Sequence, residues 1–200
     1  MRLDGGHVAL EFVNTLGGTH EDGPQPHDEH LRTYGDLLAW SVRVGTLSSP
    51  AADRLARTAA SHPREATRAL AEAIELRERA YAVLRSVADG RPPPERDLAR
   101  LLEDERDALR HAQLAPGGAA FSWRWEEEDD LRLPVWPLAH AAVELLTEGP
   151  LDRMKLCDRC RWLFLDRSKN RSRRWCSMEE CGLSVKKRRY VERRRARSAT

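Results

Sequence analysis

The side chains in this 200-residue chain best suited to chemistry are its cysteines. Cys157, Cys160, Cys176 and Cys181 are the only four, and all fall within 25 residues. They form two closely spaced pairs with fifteen residues between them. Thiolates are soft ligands, and two such pairs suit one tetrahedral zinc ion held by four sulfurs. Two residues between Cys157 and Cys160 let a tight turn aim both sulfurs at one metal. The wider spacing of Cys176 and Cys181 fits a strand end followed by the first turn of a helix. Four thiolates leave no open coordination position, so the expected cofactor is one structural Zn2+. Two disulfides would suit a secreted chain, but nothing at the N-terminus resembles an export signal. A redox pair would call for a βαβ context, and the pattern around Cys157 offers none.

The intervening residues predict the elements that position these ligands. Arg161-Trp162-Leu163-Phe164-Leu165 is aromatic-rich and strand-like, 166–172 is a polar turn, and Arg173-Arg174-Trp175 can return as a second strand. Ser177 followed by Glu180 has the form of a capping box, so a helix is expected to start there. Knuckle, hairpin and helix in that order make a treble-clef finger. So small a module buries little apolar surface, and zinc is expected to supply much of its folding energy. Basic residues follow at once: Lys186, Lys187, Arg188, Arg189, Arg193 and Arg194, then Arg195 and Arg197. Arg171, Arg173 and Arg174 are expected to extend the same face. Such density favours phosphate contacts, which position a protein on nucleic acid without reading sequence. A merely solvated surface helix is the plainer alternative.

Charge divides the chain in two. Residues 151–200 carry a net +11 and residues 1–150 a net −9, hidden within an overall +2. A basic third is the footprint of polyanion binding, whereas the acidic part implies a separate task. No apolar run approaches the roughly 18 residues of a membrane span, and no lipidation signal is visible. A reducing cytoplasm is therefore the expected location. No nucleophile–base–acid set, H-E-x-x-H, G-x-S-x-G or phosphate loop stands out, so the chain is not read as an enzyme.

The first 149 residues read as mostly helical. Residues 7–16 are apolar without a decisive period. Helices are expected over 31–44, 48–61, 64–88 and about 98–112. For the third of these the expected stripe is Leu70, Ala73, Ile74, Ala80, Tyr81, Leu84, Val87 and Ala88. Residues 121–125 and 131–133 alternate and predict a β-hairpin with the acids 126–130 at its tip. A last helix starts within 134–137 and ends near Leu146. Gly149-Pro150 is the expected boundary between domains 1–149 and 150–200. The fold class is thus α+β and mostly α. The loop 17–30 holds His20, Glu21, Asp22, His27, Asp28, Glu29 and His30, in a spacing that matches no metal motif. Asn14 is polar within an apolar segment, and Arg77 lies on the apolar stripe of its helix. A buried arginine needs a counter-charge, either an internal carboxylate or a small anionic ligand in this domain.

The stretch M-K-L-C-D-R-C-R-W-L-F-L-D-R-S-K-N-R-S-R-R-W-C-S-M-E-E-C-G, followed by K-K-R-R-Y, resembles the CGNR zinc finger of bacterial proteins. That family carries an N-terminal ABATE domain and is regarded as stress-induced transcription regulators. G-G-H-V-A-L-E-F-V-N-T-L and L-R-T-Y-G-D-L-L-A-W-S-V-R-V-G-T-L-S resemble the opening of the ABATE domain, where the first string is helical. The chain departs from the finger's Cys-Gly-Asn-Arg, which here is Cys181-Gly182-Leu183-Ser184. The resemblance implies a zinc-containing regulator that binds duplex DNA in response to stress or a ligand. The half-site logic of such regulators favours a homodimer. Two other readings stand beside it: an RNA- or ribosome-associated protein, and a small-molecule binder whose finger docks a protein.

Overall fold

The structure, a computed structural model, describes residues 2–17, 29–118, 120–126, 129–184, 186 and 187. Its axis is α4 (Pro63–Ala88), the longest of the described helices. Pro63 suits the first turn of this helix, where its missing N–H costs nothing. Ala66, Ala69, Ala73 and Ala80 are buried along it. These small side chains let neighbouring helices approach closely, and Leu76, Val83 and Leu84 fill the space between. Around α4 pack α1 (Val8–Val13), α2 (Tyr34–Val44), α3 (Ser49–Ser61), α5 (Glu95–Arg110) and α6 (Trp136–Glu148). Because neighbours lie on several sides, the buried set is wider than a single stripe. Leu70, Ile74, Tyr81, Val87 and Ala88 of the expected stripe are only half-buried, whereas Leu76 and Val83, outside it, are fully enclosed.

Caps set the helix starts. Thr33 and Asp36 form a reciprocal capping box at α2, and the Ser48 side chain accepts from Ala51 N at α3. The ambiguous stretch 7–16 is helical, capped by His7, whose Nδ1 accepts from Ala9 N.

The β-hairpin differs from expectation. β1 (Gln113–Gly117) pairs antiparallel with β2 (Ala120–Arg124), in register from Gln113 opposite Arg124 to Gly117 opposite Ala120. Gly118, with φ of 81°, supplies the left-handed residue that this reversal requires. Leu131 and Leu133 are not a strand. They are buried in consecutive tight turns, with Leu133 N donating to Asp130 O and Val135 N to Arg132 O, and these turns lead into α6. The acids 126–130 therefore link the hairpin to α6 and do not form its tip; Glu127 and Glu128 lie outside the described residues.

After α6 and a short 3-10 turn (Leu151–Arg153), β3 (Met154–Leu156) and β4 (Leu163–Leu165) form a second antiparallel hairpin. Met154, Leu163 and Leu165 join the same apolar core as Leu10, Phe12, Leu76 and Trp136. Gly149-Pro150 thus marks the end of α6, while the buried core runs across it. The loop residues 18–28, named above for their histidines and acids, lie outside the described residues. Among the described residues no helix is long and apolar enough to cross a membrane.

Between α5 and α6, His140 Nδ1 lies 2.8 Å from Glu105 Oε1. This hydrogen bond raises the His140 pKa, partial burial opposes the shift, and Glu144 and Glu148 add to it. A raised folded-state pKa contributes stability below the ordinary histidine range, and that stability is lost as pH rises through the folded value. The His140 contribution to the melting temperature is expected to fall between pH 6 and 8.5, against an opposite one from His7, whose pKa burial lowers. In Glu105→Gln this pH-dependent component should be much reduced, as measured by thermal unfolding across that range.

Candidate metal centre

The four cysteines come from three local structures. β3 runs directly into Cys157, whose N–H donates to Trp162 O at 2.8 Å, closing a turn that holds Cys160. Arg161 sits at its end with φ of 64°, a left-handed backbone that costs a non-glycine residue. Cys176 precedes Ser177, whose Oγ accepts from Glu180 N. From there the chain makes one wide helical turn, Met178–Gly182, in which Gly182 N donates to Ser177 O, and this turn presents Cys181. Gly182 lets the turn pack closely: a Cβ there would stand 2.5 Å from Met178 Sδ, which would have to move, and 3.3 Å from the Trp175 ring.

All four Sγ atoms lie within 4.8 Å of one another. Cys160–Cys176 and Cys176–Cys181 separations are 3.5 and 3.8 Å. A zinc tetrahedron with Zn–S near 2.3 Å has edges of about 3.8 Å, so the donor set fits the ion. Four thiolates this close repel unless a cation stands among them. The centre holds one structural zinc. Phe164 is fully buried beside it, with Trp162 and Trp175 packed around.

The predicted second strand at 173–175 does not form. β4 takes β3 as its partner instead, and Asp166 organises the segment that leads to 173–175. Asp166 is fully buried and accepts from Lys155 Nζ, Ser168 N, Ser168 Oγ and Arg173 N, all within 2.9 Å. Burial pushes its pKa up, but these donors outweigh it and hold the carboxyl well below its usual range. The sequence showed only a polar turn here. An aspartate two residues before a serine is a common turn signal, so its role as a buried hub was not visible.

The arginines assigned to phosphate divide. Arg173 donates to Cys176 O and stacks its guanidinium 5.0 Å from the Phe164 ring centroid, so it serves the metal site and not an open face. Arg171 pairs with Asp152 at 2.6 Å and Arg174 with Asp158 at 2.7 Å. Both pairs are exposed, and such pairs are weak enough to exchange for a phosphate. Lys186 and Lys187 are exposed, whereas Arg188, Arg189, Arg193 and Arg194 lie outside the described residues.

Both residues proposed for an anionic ligand are buried and engaged within the protein. Arg77 is 2 % exposed, and all five of its N–H groups are engaged, with Glu29, Glu78 and Thr15. Burial alone would raise the Glu29 pKa, but Arg77 outweighs this and lowers it. The internal ion pair, the alternative weighed above, is the arrangement found.

Asn14 joins the helical body to the finger. Its Oδ1 accepts from Leu163 N at 3.0 Å, and its Nδ2 donates to Leu163 O at 2.8 Å. Around it, Leu165 N donates to Gly5 O, Trp162 Nε1 to Leu16 O and Tyr81 OH to Arg161 O. At the far end Arg2 reaches Ser177 Oγ at 3.0 Å and Glu180 Oε1 at 3.0 Å. The Gly5-Gly6 pair makes this approach feasible: Gly6 has φ of 81°, and a Cβ on Gly5 would meet Leu10 Cβ at 2.8 Å.

A helical body carrying a four-cysteine zinc finger is the class that this fold and centre define. The model of the ABATE family, described as "Putative stress-induced transcription regulator", matches residues 6–149, and that of the CGNR zinc finger matches residues 153–194. The chain belongs to the ABATE family. Among curated proteins none matches it.

Purified protein is expected to contain one zinc per chain by elemental analysis, and a ratio well below one would contradict the four-thiolate site. Cys176→Ala should lose the metal and the near-ultraviolet signal of Trp162 and Trp175, while the far-ultraviolet helical signal persists. Asn14→Ala leaves two buried backbone groups of Leu163 unpaired and should cost about 1–3 kcal/mol each in global stability, read by denaturant unfolding. Asn14→Leu, which cannot restore either bond, should be equally costly.

Proposed function

We propose that this protein is a DNA-binding transcriptional regulator and not an enzyme, with residues 150–200 making the nucleic-acid contact and residues 1–149 responding to a signal. The observation that carries the reading is the net +11 of residues 151–200, set directly behind a structural zinc centre. The regulator description of the family supports it. Zinc and the Ser177 cap orient the start of the segment, and Lys186 and Lys187 extend into solvent from there. Arg188, Arg189, Arg193 and Arg194 continue the basic run in sequence. Arg171 and Arg174 add two cations that surface ion pairs restrain only weakly. Leu183, which stands where the family signature has asparagine, is 55 % exposed and offers no charge to phosphate. Contact is therefore made mainly through the lysines and arginines that follow. Pairing of two chains on a duplex follows the half-site logic of such regulators.

Binding to duplex DNA should weaken linearly in log–log form as salt rises. A slope of roughly −5 to −7 corresponds to six to eight phosphates contacted. Replacing Lys187 and Arg188 together with alanine should flatten the slope by about 2 and weaken all sequences alike. A slope near zero overturns the reading. Tighter binding to structured RNA in competition at fixed salt moves the function to RNA.

A further inference from the structure

A cleft of about 650 Å³ opens between the β1–β2 hairpin and the start of α3. Small-molecule sites occupy roughly 300–1,000 Å³ and combine apolar walls with a few placed polar groups. This cleft has both. Trp123 and Trp125 line it from the hairpin side, and Leu133 contributes a buried apolar surface. Trp125 is fixed by its Nε1, which donates to Ala108 O at 2.8 Å. Trp123 lies edge-on to His140 and remains 43 % exposed. Two indoles held this way offer an aromatic ligand a surface whose ordering cost is already met.

The polar groups select the sign of charge. Arg54 and Arg124 both line the cleft, and among the described residues neither has a carboxylate partner. The Nε of Arg54 is buried without any hydrogen-bond partner. A buried unpaired guanidinium donor is costly, and an incoming acceptor relieves that cost. Glu126 also lines the cleft, leaving two cations against one anion there.

We propose that this cleft binds a planar aromatic acid, its carboxylate or phosphate held by Arg54 and Arg124 and its ring against Trp123 and Trp125. The hairpin strands are exposed or half-exposed along their whole length, and a lone two-stranded hairpin is marginally stable in water. A ligand seated under it ties it to α3, which makes the hairpin the element that changes on binding. The proposal is independent of nucleic-acid contact, since its site lies in the helical body and its readout needs no DNA.

The test uses the full-length zinc-loaded chain and isothermal calorimetry with 1-naphthoate and 1-naphthyl phosphate. Neutral 1-naphthamide, cationic 1-naphthylmethylammonium and non-aromatic cyclohexanecarboxylate serve as comparators. At least one naphthyl anion should saturate a single site and bind about tenfold or more tightly than the amide or the cation; which anion wins identifies the acid group. Arg54→Gln and Arg124→Gln should each weaken it about tenfold. Hydrogen exchange of residues 113–117 and 120–124 should slow on binding. If Arg54→Gln does not fold, Arg124→Gln, altered on an exposed strand, decides alone. No saturable site up to about 10 mM, tighter binding of the cation, or unchanged affinity in a folded arginine variant overturns the proposal.

Discussion

The interaction on which most of the rest depends is the pair of hydrogen bonds between the Asn14 side chain and the backbone of Leu163. An amide is one of the few side chains able to satisfy a backbone N–H and C=O together, as a strand partner would. Asn14 thus ends α1 and at the same time extends the edge of β4. Both groups are buried, so nothing else is there to replace them. The strand that Asn14 holds runs back to the zinc knuckle, and Phe164, the residue next to the clamp, packs against the cysteines. The finger and the helical body therefore meet through one shared strand, while the helices keep an apolar core apart from the cysteine cluster. Zinc closes the knuckle, the knuckle aligns β4, and β4 is complete only when α1 lies against it.

The charges follow a similar division of labour. Most of the basic residues are arginine, whose planar fork can be fully satisfied by protein acceptors. Arg77 uses every N–H on carboxylates and a hydroxyl, and Arg173 spans a carbonyl next to a ligand and an aromatic face. These guanidinium groups are parts of the scaffold. Others, on the surface or lining the cleft under the hairpin, are held weakly or not at all. A high count of basic residues therefore says little about binding until the internally committed ones are set aside. Of the three arginines at 171–174, that subtraction removes Arg173 and leaves Arg171 and Arg174.

What the sequence determined by itself was local, though not all that is local, since the strands read at 131–133 and 173–175 do not form. The four zinc ligands follow from pair spacing, because a tight turn can bring together only residues so placed. The helix start at Ser48 follows from a side chain that caps its own backbone, and α4 follows from Pro63 and the period beyond it, whereas α2 starts at Tyr34 behind its Thr33 cap and not at Leu31 as read. The likeness to the ABATE and CGNR families rested on the same contiguous strings and is met by both family matches. What tertiary structure decided was every choice between partners distant in sequence. The strand Ala120–Arg124 was expected to pair with 131–133, and the left-handed Gly118 turns it instead onto Gln113–Gly117, which carries no alternation. Arg77 needed a counter-charge, and only the fold places Glu29 within 2.7 Å. Asp166 and Arg173 look like ordinary polar residues in the chain, and Asn14 stands out only as a polar residue in an apolar segment. Their roles come from long-range burial, which removes water and makes each remaining hydrogen bond obligatory.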